Sequence, residues 1–241
     1  MILGATSAVA RASAALLARQ GYGLILTGRD TDELQRLAAD LRIREGARAE
    51  WEYFEASDPA GHPAFFARVL GRTTKLAGVL LAFGSMGDQE LAAREFSEAE
   101  RIIRDNFSGA VSILTLCANH LLAGGGGFLV ALTSVAGERG RQSNYVYGAA
   151  KGGLDLFLQG LRNRCFAGGV RVITIRPGFL DTAMTYGLPG LFLVASPESA
   201  ARRIVASLGR SGDIHYVPWF WRPVMLLIRL IPEFLFKRLR L

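Results

Sequence analysis

The sequence is poor in the side chains that build metal centres and disulfide frameworks. Its 241 residues include two cysteines and three histidines. Cys117 and Cys165 have neither CxxC nor other metal-ligand spacing, and the histidines His62, His120 and His215 are scattered. Both cysteines lie in apolar, helix-like sequence, so we interpret them as buried thiols of a protein in a reducing, cytoplasmic compartment. We predict no bound metal.

A pattern for secretion is missing as well, and the C-terminal segment has no pattern for membrane spanning. The N-terminus has no basic stretch ahead of an apolar one, so we expect no signal peptide. Met1-Ile2-Leu3 leads directly into Gly4, so a first strand here is short, and whether the N-terminus is complete stays open. Near the C-terminus, Val224–Ile228 is an uninterrupted apolar core far shorter than the ~20 residues of a spanning helix.

Size and composition favour one folded domain. Half of the residues are apolar and a fifth are charged, which supports a sizeable core and argues against disorder. A length of 241 residues suits a single large α/β domain.

Strand-like and helix-like segments alternate along the chain. The predicted strands are Met1–Leu3, Gly23–Thr27, Ala49–Glu55, Leu76–Ala82, Phe128–Thr133, Val170–Arg176 and Ile214–Val217. The predicted helices are Ser7–Gln20, Thr31–Glu45, Pro59–Arg72, Glu98–Leu122, Asn144–Phe166 and Pro197–Gly209. Continuously apolar strands are typical of parallel sheets covered on both faces. We therefore predict a Rossmann-like, doubly wound parallel sheet of about seven strands in one catalytic domain, residues 1–217, followed by a C-terminal segment, residues 218–241.

Three helix starts carry a capping pattern. The pairs are Asp30 with Glu33, Ser97 with Glu100, and Ser196 with Pro197.

The turn after the first strand is a candidate pyrophosphate site. It consists of Gly4-Ala5-Thr6-Ser7-Ala8-Val9-Ala10. A pyrophosphate requires free backbone N–H groups, the positive end of a helix and small side chains. Two of the three customary glycines are alanines here, so an ordinary strand-to-helix turn is the alternative.

The end of the second strand bears on the choice of cofactor. The adenine ribose lies there in dinucleotide-binding folds, where an acidic residue suits NAD and a cation suits a 2′-phosphate. Arg29 therefore favours NADP over NAD, and we interpret Asp30 as a helix cap.

The strongest chemical pattern is Ser134 followed by Tyr147-Gly148-Ala149-Ala150-Lys151. Tyr147 and Lys151 are four residues apart on a predicted helix and project from one face. A neighbouring ammonium favours the phenolate and is expected to lower the pKa of the phenol from about 10. Ser134 ends a predicted strand, where its hydroxyl can hold the oxygen that Tyr147 protonates.

These residues resemble the short-chain dehydrogenase/reductase family over nearly the whole chain. The resemblance implies that Tyr147 is the acid/base, that Lys151 tunes it and holds the nicotinamide ribose, and that Ser134 orients the substrate. It also implies that Asn106 supports a water relay to Lys151. Further implied cofactor contacts are Gly4, Thr6, Ser7, Ala8, Val9, Arg29, Asp58 at adenine, Ala82, Phe83, Gly84, Pro177, Gly178, and Thr182 at the carboxamide.

Two departures and one closer likeness qualify this assignment. The family's Asn-Asn-Ala-Gly is here Ala82-Phe83-Gly84-Ser85, and two of the three customary glycines in the turn after the first strand are replaced by alanine. The stretch 82–88 and Ala136-Gly137-Glu138-Arg139 resemble one subgroup of the family, the keto-reductase half of the decaprenylphosphoryl-ribose 2′-epimerase. That subgroup implies reduction of a 2-keto pentose on a polyprenyl phosphate for bacterial cell-wall arabinose, an oxidase partner, and work at the inner face of the cell membrane.

The C-terminal segment differs from the body in composition. Residues 219–241 carry five basic residues against Glu233, within a formal net charge of +7 for the chain. Aromatic and aliphatic side chains among arginines favour a helix lying in a membrane interface. The alternative is a helix packed on the domain or on a second subunit. The interleaved aliphatic residues argue against nucleic acid.

Three functions follow from these patterns. The first is an NAD(P)H-dependent reductase of a lipid-linked ketone, a peripheral membrane protein that we also expect to be a homo-oligomer. The second is a soluble reductase or dehydrogenase of another ketone or alcohol. The third, of a different class, is a dinucleotide-binding redox sensor without catalysis, which would have no need of Tyr147 and Lys151.

Overall fold

A computed structural model describes residues 1–187 and 192–239 of the chain. Within them, seven parallel strands form one sheet in the order β3-β2-β1-β4-β5-β6-β7. The strands are β1 (Ile2–Leu3), β2 (Leu24–Gly28), β3 (Ala49–Tyr53), β4 (Gly78–Leu81), β5 (Gly127–Leu132), β6 (Val170–Pro177) and β7 (Ile214–Val217). The predicted doubly wound, Rossmann-like single domain is confirmed, and the predicted strands match within two residues at most ends.

The helices cover both faces of the sheet. They are α1 (Ala8–Arg19), α2 (Thr31–Glu45), α3 (His62–Leu70), α4 (Gln89–Ala92), α5 (Phe96–Ile103), α6 (Gly109–Ala123), α7 (Tyr145–Phe166), α8 (Pro197–Ser207), α9 (Trp221–Leu230) and α10 (Glu233–Phe236). One apolar cluster includes side chains of α3, α6 and α7, and a second includes side chains of α1, α2 and α8. All four residues of β4 are buried, which explains its continuously apolar sequence.

The chain order reverses beside β1. Strands β2 and β3 lie on one side of it, and β4 to β7 lie on the other. In open parallel sheets a crevice forms at such a switch point, beyond the carboxyl ends of the strands, and ligands bind there. The fold thus brings the residues after β1, β2, β4 and β5 to one edge.

Helix starts follow the predicted caps at two of three positions. Asp30 accepts a hydrogen bond from the Glu33 N–H at 2.9 Å, and Ser196 accepts one from Ser199 at 3.2 Å. The predicted cap at Ser97 is wrong, because α5 begins at Phe96 and Ser97 already lies inside the helix.

A continuous helical run extends from Phe96 to Ala123 and includes a π-helical turn at Arg104–Ser108. Its length and mean hydropathy would suit a membrane span, and 44% of its most apolar window is buried in the domain. The buried residues of α6 belong to the core cluster beside the sheet. The packing of this helical run in the core of the domain explains its apolar composition.

The C-terminal segment folds onto the domain as α9 and α10. Trp221 is 1% exposed and Met225 is not exposed, and both lie in one cluster with Val135. The outer faces of the two helices keep large apolar side chains in solvent. These are Leu226, Leu227, Leu230, Phe234 and Leu235. Arg240 and Leu241, which the sequence analysis counted in this segment, lie outside the described residues.

Candidate active site

The turn between β1 and α1 has the geometry of an anion cradle. Gly4 has a φ of +81°, and a Cβ there would lie 2.7 Å from the backbone nitrogen of Phe83. Only glycine therefore suits this position. Ser7 caps α1 by accepting from Ala10 N–H at 3.3 Å, and the first turn of α1 contains no acidic residue. The N–H groups of Ala8 and Val9, at the start of α1, have no intrahelical acceptor.

The ends of β2 and β3 carry the candidate adenosine contacts. Arg29 is exposed directly after β2, and in the part of the chain that the structure describes it makes no salt bridge. Asp58, implied as an adenine contact, is exposed and accepts from the Gly61 N–H at 3.2 Å. Glu55 is half-buried and closer to the end of β3, and its charge interacts with that of Arg29. Glu55 is thus a further candidate that the sequence did not single out; its position as the last residue of a predicted strand was the available signal.

The loop after β4 runs through Ala82, Phe83 and Gly84, all half-buried. Phe83 contacts Phe54 with ring centroids 5.6 Å apart, so this departure from the family pattern fills an apolar gap. A Cβ on Gly84 would lie 2.7 Å from Oδ1 of Asn106 and 3.0 Å from Nζ of Lys151. The loop therefore lies directly against two of the predicted catalytic residues.

The predicted catalytic serine is held by a short 3₁₀ turn at Val135–Glu138, here called the serine turn. Ser134 precedes it, and its Oγ accepts from the Ala136 N–H at 3.1 Å. A Cβ on Gly137 would lie 2.6 Å from the backbone nitrogen of Gly152 on α7. The small residues let the serine turn pack closely against the helix that carries Tyr147, and the Ser134 hydroxyl lowers the pKa of the phenol.

Tyr147 and Lys151 lie on α7 as predicted and are both buried. Lys151 Nζ donates to the Leu132 carbonyl at 3.3 Å and lies 6.0 Å from the centroid of the Tyr147 ring. Burial raises the pKa of Tyr147 to about 12, and the hydrogen bond with Ser134 offsets part of that rise. Burial lowers the pKa of Lys151 to about 8. The expected lowering of the Tyr147 pKa is therefore reversed, because desolvation outweighs the distant ammonium.

Asn106 completes the group from the π-helical turn. Its side chain is fully buried, and its Nδ2 donates to the carbonyls of Ser85 at 2.7 Å and Ile102 at 2.9 Å. A π-helical turn inside an α-helix is frequent at functional sites. This turn links the helical run to the loop after β4 and lies beside Lys151.

The end of β6 supplies the remaining predicted contacts. Pro177 ends the strand, and the N–H of Gly178 donates to the Val217 carbonyl at 2.9 Å. Thr182 is half-buried in the following turn, where its N–H donates to Thr185 Oγ1 at 3.2 Å. The indole ring of Trp221 lies against Gly178, and a Cβ at position 178 would collide with that ring. No pattern in the sequence predicts this contact between the C-terminal segment and the site.

The arrangement fits a dinucleotide. A glycine cradle at a helix N-terminus suits a pyrophosphate, the exposed Arg29 suits a ribose phosphate, and the buried Tyr147–Lys151 pair lies across the sheet edge from them. Among residues 1–187 and 192–239, no three His, Cys, Asp or Glu side chains lie close enough to hold a metal ion.

Comparison with known proteins identifies relatives over most of the chain. Residues 1–189 match the short chain dehydrogenase family. An uncharacterized oxidoreductase of Streptomyces coelicolor is 36% identical over 99% of this chain and 94% of its own length. An uncharacterized oxidoreductase of Mycobacterium tuberculosis (strain H37Rv) is 35% identical over 91% of this chain and 88% of its own length.

A solved structure has the same fold. The short-chain dehydrogenase from Sphingobium yanoikuyae in complex with NADPH aligns with a TM-score of 0.81 at 23% identity, covering 96% of both chains. The likeness confirms the order and arrangement of the sheet and its helices.

Proposed function

The chain belongs to the short-chain dehydrogenase family of NAD(P)-dependent oxidoreductases, and from that premise we propose that it reduces a ketone, with Tyr147 as proton donor. The observation that carries this proposal is the convergence of Ser134, Tyr147, Lys151 and Asn106 beside the Gly4 turn. A redox sensor without catalysis would have no use for this buried group.

The protonation states suit reduction. With its pKa raised to about 12, Tyr147 keeps its proton at neutral pH and can give it to a forming alkoxide. The Ser134 hydroxyl, whose Oγ accepts from the Ala136 N–H, can donate to the same oxygen. Lys151, with a pKa of about 8, carries a positive charge at neutral pH, and its Nζ lies 6.0 Å from the centroid of the Tyr147 ring. A nicotinamide bound at the strand ends would supply the hydride.

We propose NADP as the preferred cofactor and NAD as the alternative. Arg29 is exposed at the end of β2, where a 2′-phosphate would lie. Gly4, Thr6, Ser7, Ala8 and Val9 would hold the pyrophosphate. Ala82, Phe83, Gly84, Pro177, Gly178 and Thr182 would line the nicotinamide side, and Asp58 would contact the adenine, with Glu55 as a second candidate for that contact.

For the substrate we propose a ketone on a membrane-bound carrier, such as the 2-keto group of a polyprenyl-phosphate-linked pentose. The support is the sequence likeness to that subgroup and the surface of α9, where Leu226, Leu227 and Leu230 are each more than half exposed. Arg222 precedes these leucines, Arg229 lies between Leu227 and Leu230, and both suit anionic headgroups. The enzyme would then work at the cytoplasmic face of a membrane, in cell-wall biosynthesis, as a homo-oligomer beside an oxidase. A soluble ketone is the alternative substrate.

A ketone panel tests the reaction. We would follow NADPH and NADH oxidation with cyclohexanone, ribulose 5-phosphate and a farnesylphosphoryl 2-keto pentose. The proposal expects the lipid-linked ketone to have the highest kcat/KM. Higher kcat/KM for cyclohexanone or ribulose 5-phosphate would favour the soluble reductase, and reduction of none of the three would contradict both.

Sedimentation with liposomes tests the membrane contact. The triple substitution Leu226→Ser, Leu227→Ser and Leu230→Ser changes only the outer face of α9 and leaves the buried Trp221 and Met225 in place. We expect it to release the protein from anionic phosphatidylglycerol vesicles at low salt. Ile43→Ser on α2, 83% exposed, is the matched control and should still sediment. A wild-type protein that stays in the supernatant would contradict the membrane contact.

A further inference from the structure

The serine turn is held by the C-terminal segment as well as by α7. Glu138 Oε2 lies 3.6 Å from Nη1 of Arg229 on α9. Arg141 donates to Met225 Sδ at 3.5 Å. Arg139, which lies between these two residues in the chain, contacts the residue that follows α9 and two residues of α10. Each charged side chain from position 138 to position 141 therefore reaches the segment that follows β7.

Arg139 makes three different contacts there. One guanidinium nitrogen, Nη2, donates to the carbonyl of Ile231 at 3.2 Å and to Glu233 Oε2 at 2.7 Å. The guanidinium carbon also lies 4.2 Å from the ring centroid of Phe236, which is 7% exposed. The Glu233 pair is largely in solvent and contributes little. The bond to the carbonyl beyond α9 and the contact with the buried ring carry most of the attachment.

The turn needs such an attachment because it is short. A four-residue 3₁₀ turn makes few hydrogen bonds of its own. Ser134 Oγ is tied to its first half through the Ala136 N–H, and Arg139 follows its last residue. Arg139 therefore lies at the end of the serine turn opposite Ser134, five residues along the chain.

We propose that Arg139 is a positioning residue for Ser134, through which α9 and α10 hold the serine turn in its active arrangement. The proposal rests on the role of Ser134 in the proposed function. It assigns the C-terminal segment a part in the chemical step that is independent of any membrane contact. Arg139 itself does not contact the reacting atoms.

The test compares kcat with cofactor affinity in Arg139→Gln. A catalytic group displaced by about 1 Å can lose 10²-fold in rate, so we expect kcat for the best ketone of the panel to fall ten- to a hundredfold. The Kd for NADPH should stay within twofold, because the Gly4 turn and Arg29 lie on other strand ends. Arg139→Lys, which keeps the charge, should recover most of the loss. Arg19→Gln, which breaks the bidentate pair with Glu45 far from the site, is the matched control.

A double-substitution cycle separates positioning from general destabilisation. Phe236→Leu should lower kcat in the same direction, and adding Arg139→Gln to it should cause less further loss than Arg139→Gln causes alone, because both act on one contact. Unchanged kcat in Arg139→Gln overturns the inference, as does a joint fall of kcat, NADPH affinity and thermal midpoint. If Arg139→Gln does not fold, the same criteria apply to Phe236→Leu.

The outcomes also distinguish this inference from the proposed function. Turnover that is lost in Tyr147→Phe and unchanged in Arg139→Gln would overturn the positioning role alone. A wild-type protein that reduces no ketone of the panel would contradict the proposed function and this inference with it.

Discussion

Replacing Tyr147 by phenylalanine is the most direct test of the proposed chemistry. The substitution keeps the ring, which is 7% exposed, and removes the one proton that the mechanism transfers. With a pKa of about 12, at pH 7 only ~1 in 10⁵ of the phenol groups is ionised, so nearly every molecule carries the proton-donating form. Loss of a general acid typically costs ~10²–10⁴-fold, and we expect kcat to fall by that amount.

The fold should tolerate this change. The lost hydroxyl is one that can hydrogen-bond Ser134, whose Oγ still accepts from the Ala136 N–H at 3.1 Å. Removal of one such bond costs about 0.5–1.5 kcal/mol of unfolding free energy. Cofactor affinity should change less than about twofold, because the predicted pyrophosphate contacts lie after β1. Steady-state NADPH oxidation, NADPH fluorescence titration and urea unfolding measure the three quantities.

Tyr145→Phe is the matched control. Tyr145 lies two residues away on the same helix, is 43% exposed and has no lysine four residues further on. It should keep wild-type kcat. Turnover of Tyr147→Phe within a few fold of wild type would refute the assignment of the proton donor, and equal losses in both variants would indicate damage to α7.

Three further predictions address the cofactor, the lysine and the C-terminal segment. Arg29→Asp should lower kcat/KM with NADPH at least tenfold and raise kcat/KM with NADH, because a charge-assisted hydrogen bond to a phosphate is worth about 1.5–3 kcal/mol. Equal changes in kcat/KM with both cofactors would contradict the 2′-phosphate contact. Burial lowers the pKa of Lys151 to about 8, so its charge is lost as the pH rises through that value and kcat/KM for reduction should fall above about pH 8. The variant Lys151→Met should lack this decrease. A wild-type pH profile that is flat to pH 9.5 would argue against a role for the Lys151 charge. Trp221→Ala should lower the free energy of unfolding by about 3–5 kcal/mol, against less than about 0.5 for Trp219→Ala, which is 63% exposed; similar urea midpoints would show that α9 does not belong to the core.

The elements that the sequence predicted well are those whose pattern is local. Continuously apolar strands such as β4 and the cap at Asp30 depend on neighbours within a few residues, so they are visible in the sequence. The start of α5 was missed because Ser97 and Glu100 have capping-box spacing inside a helix. The four-residue α4 is too short to show a period.

The sequence by itself determined the fold class, because continuously apolar strands that alternate with helices already imply a parallel sheet. It also determined the candidate catalytic group, because Tyr147 and Lys151 are four residues apart on one helix face and Ser134 follows a strand. Only the tertiary structure decided the protonation state of that group, since desolvation depends on every element around Tyr147 and Lys151. It also decided that Arg139 reaches Phe236, a contact between residues almost a hundred positions apart. Such contacts depend on how distant segments fold against each other, and no local pattern records them.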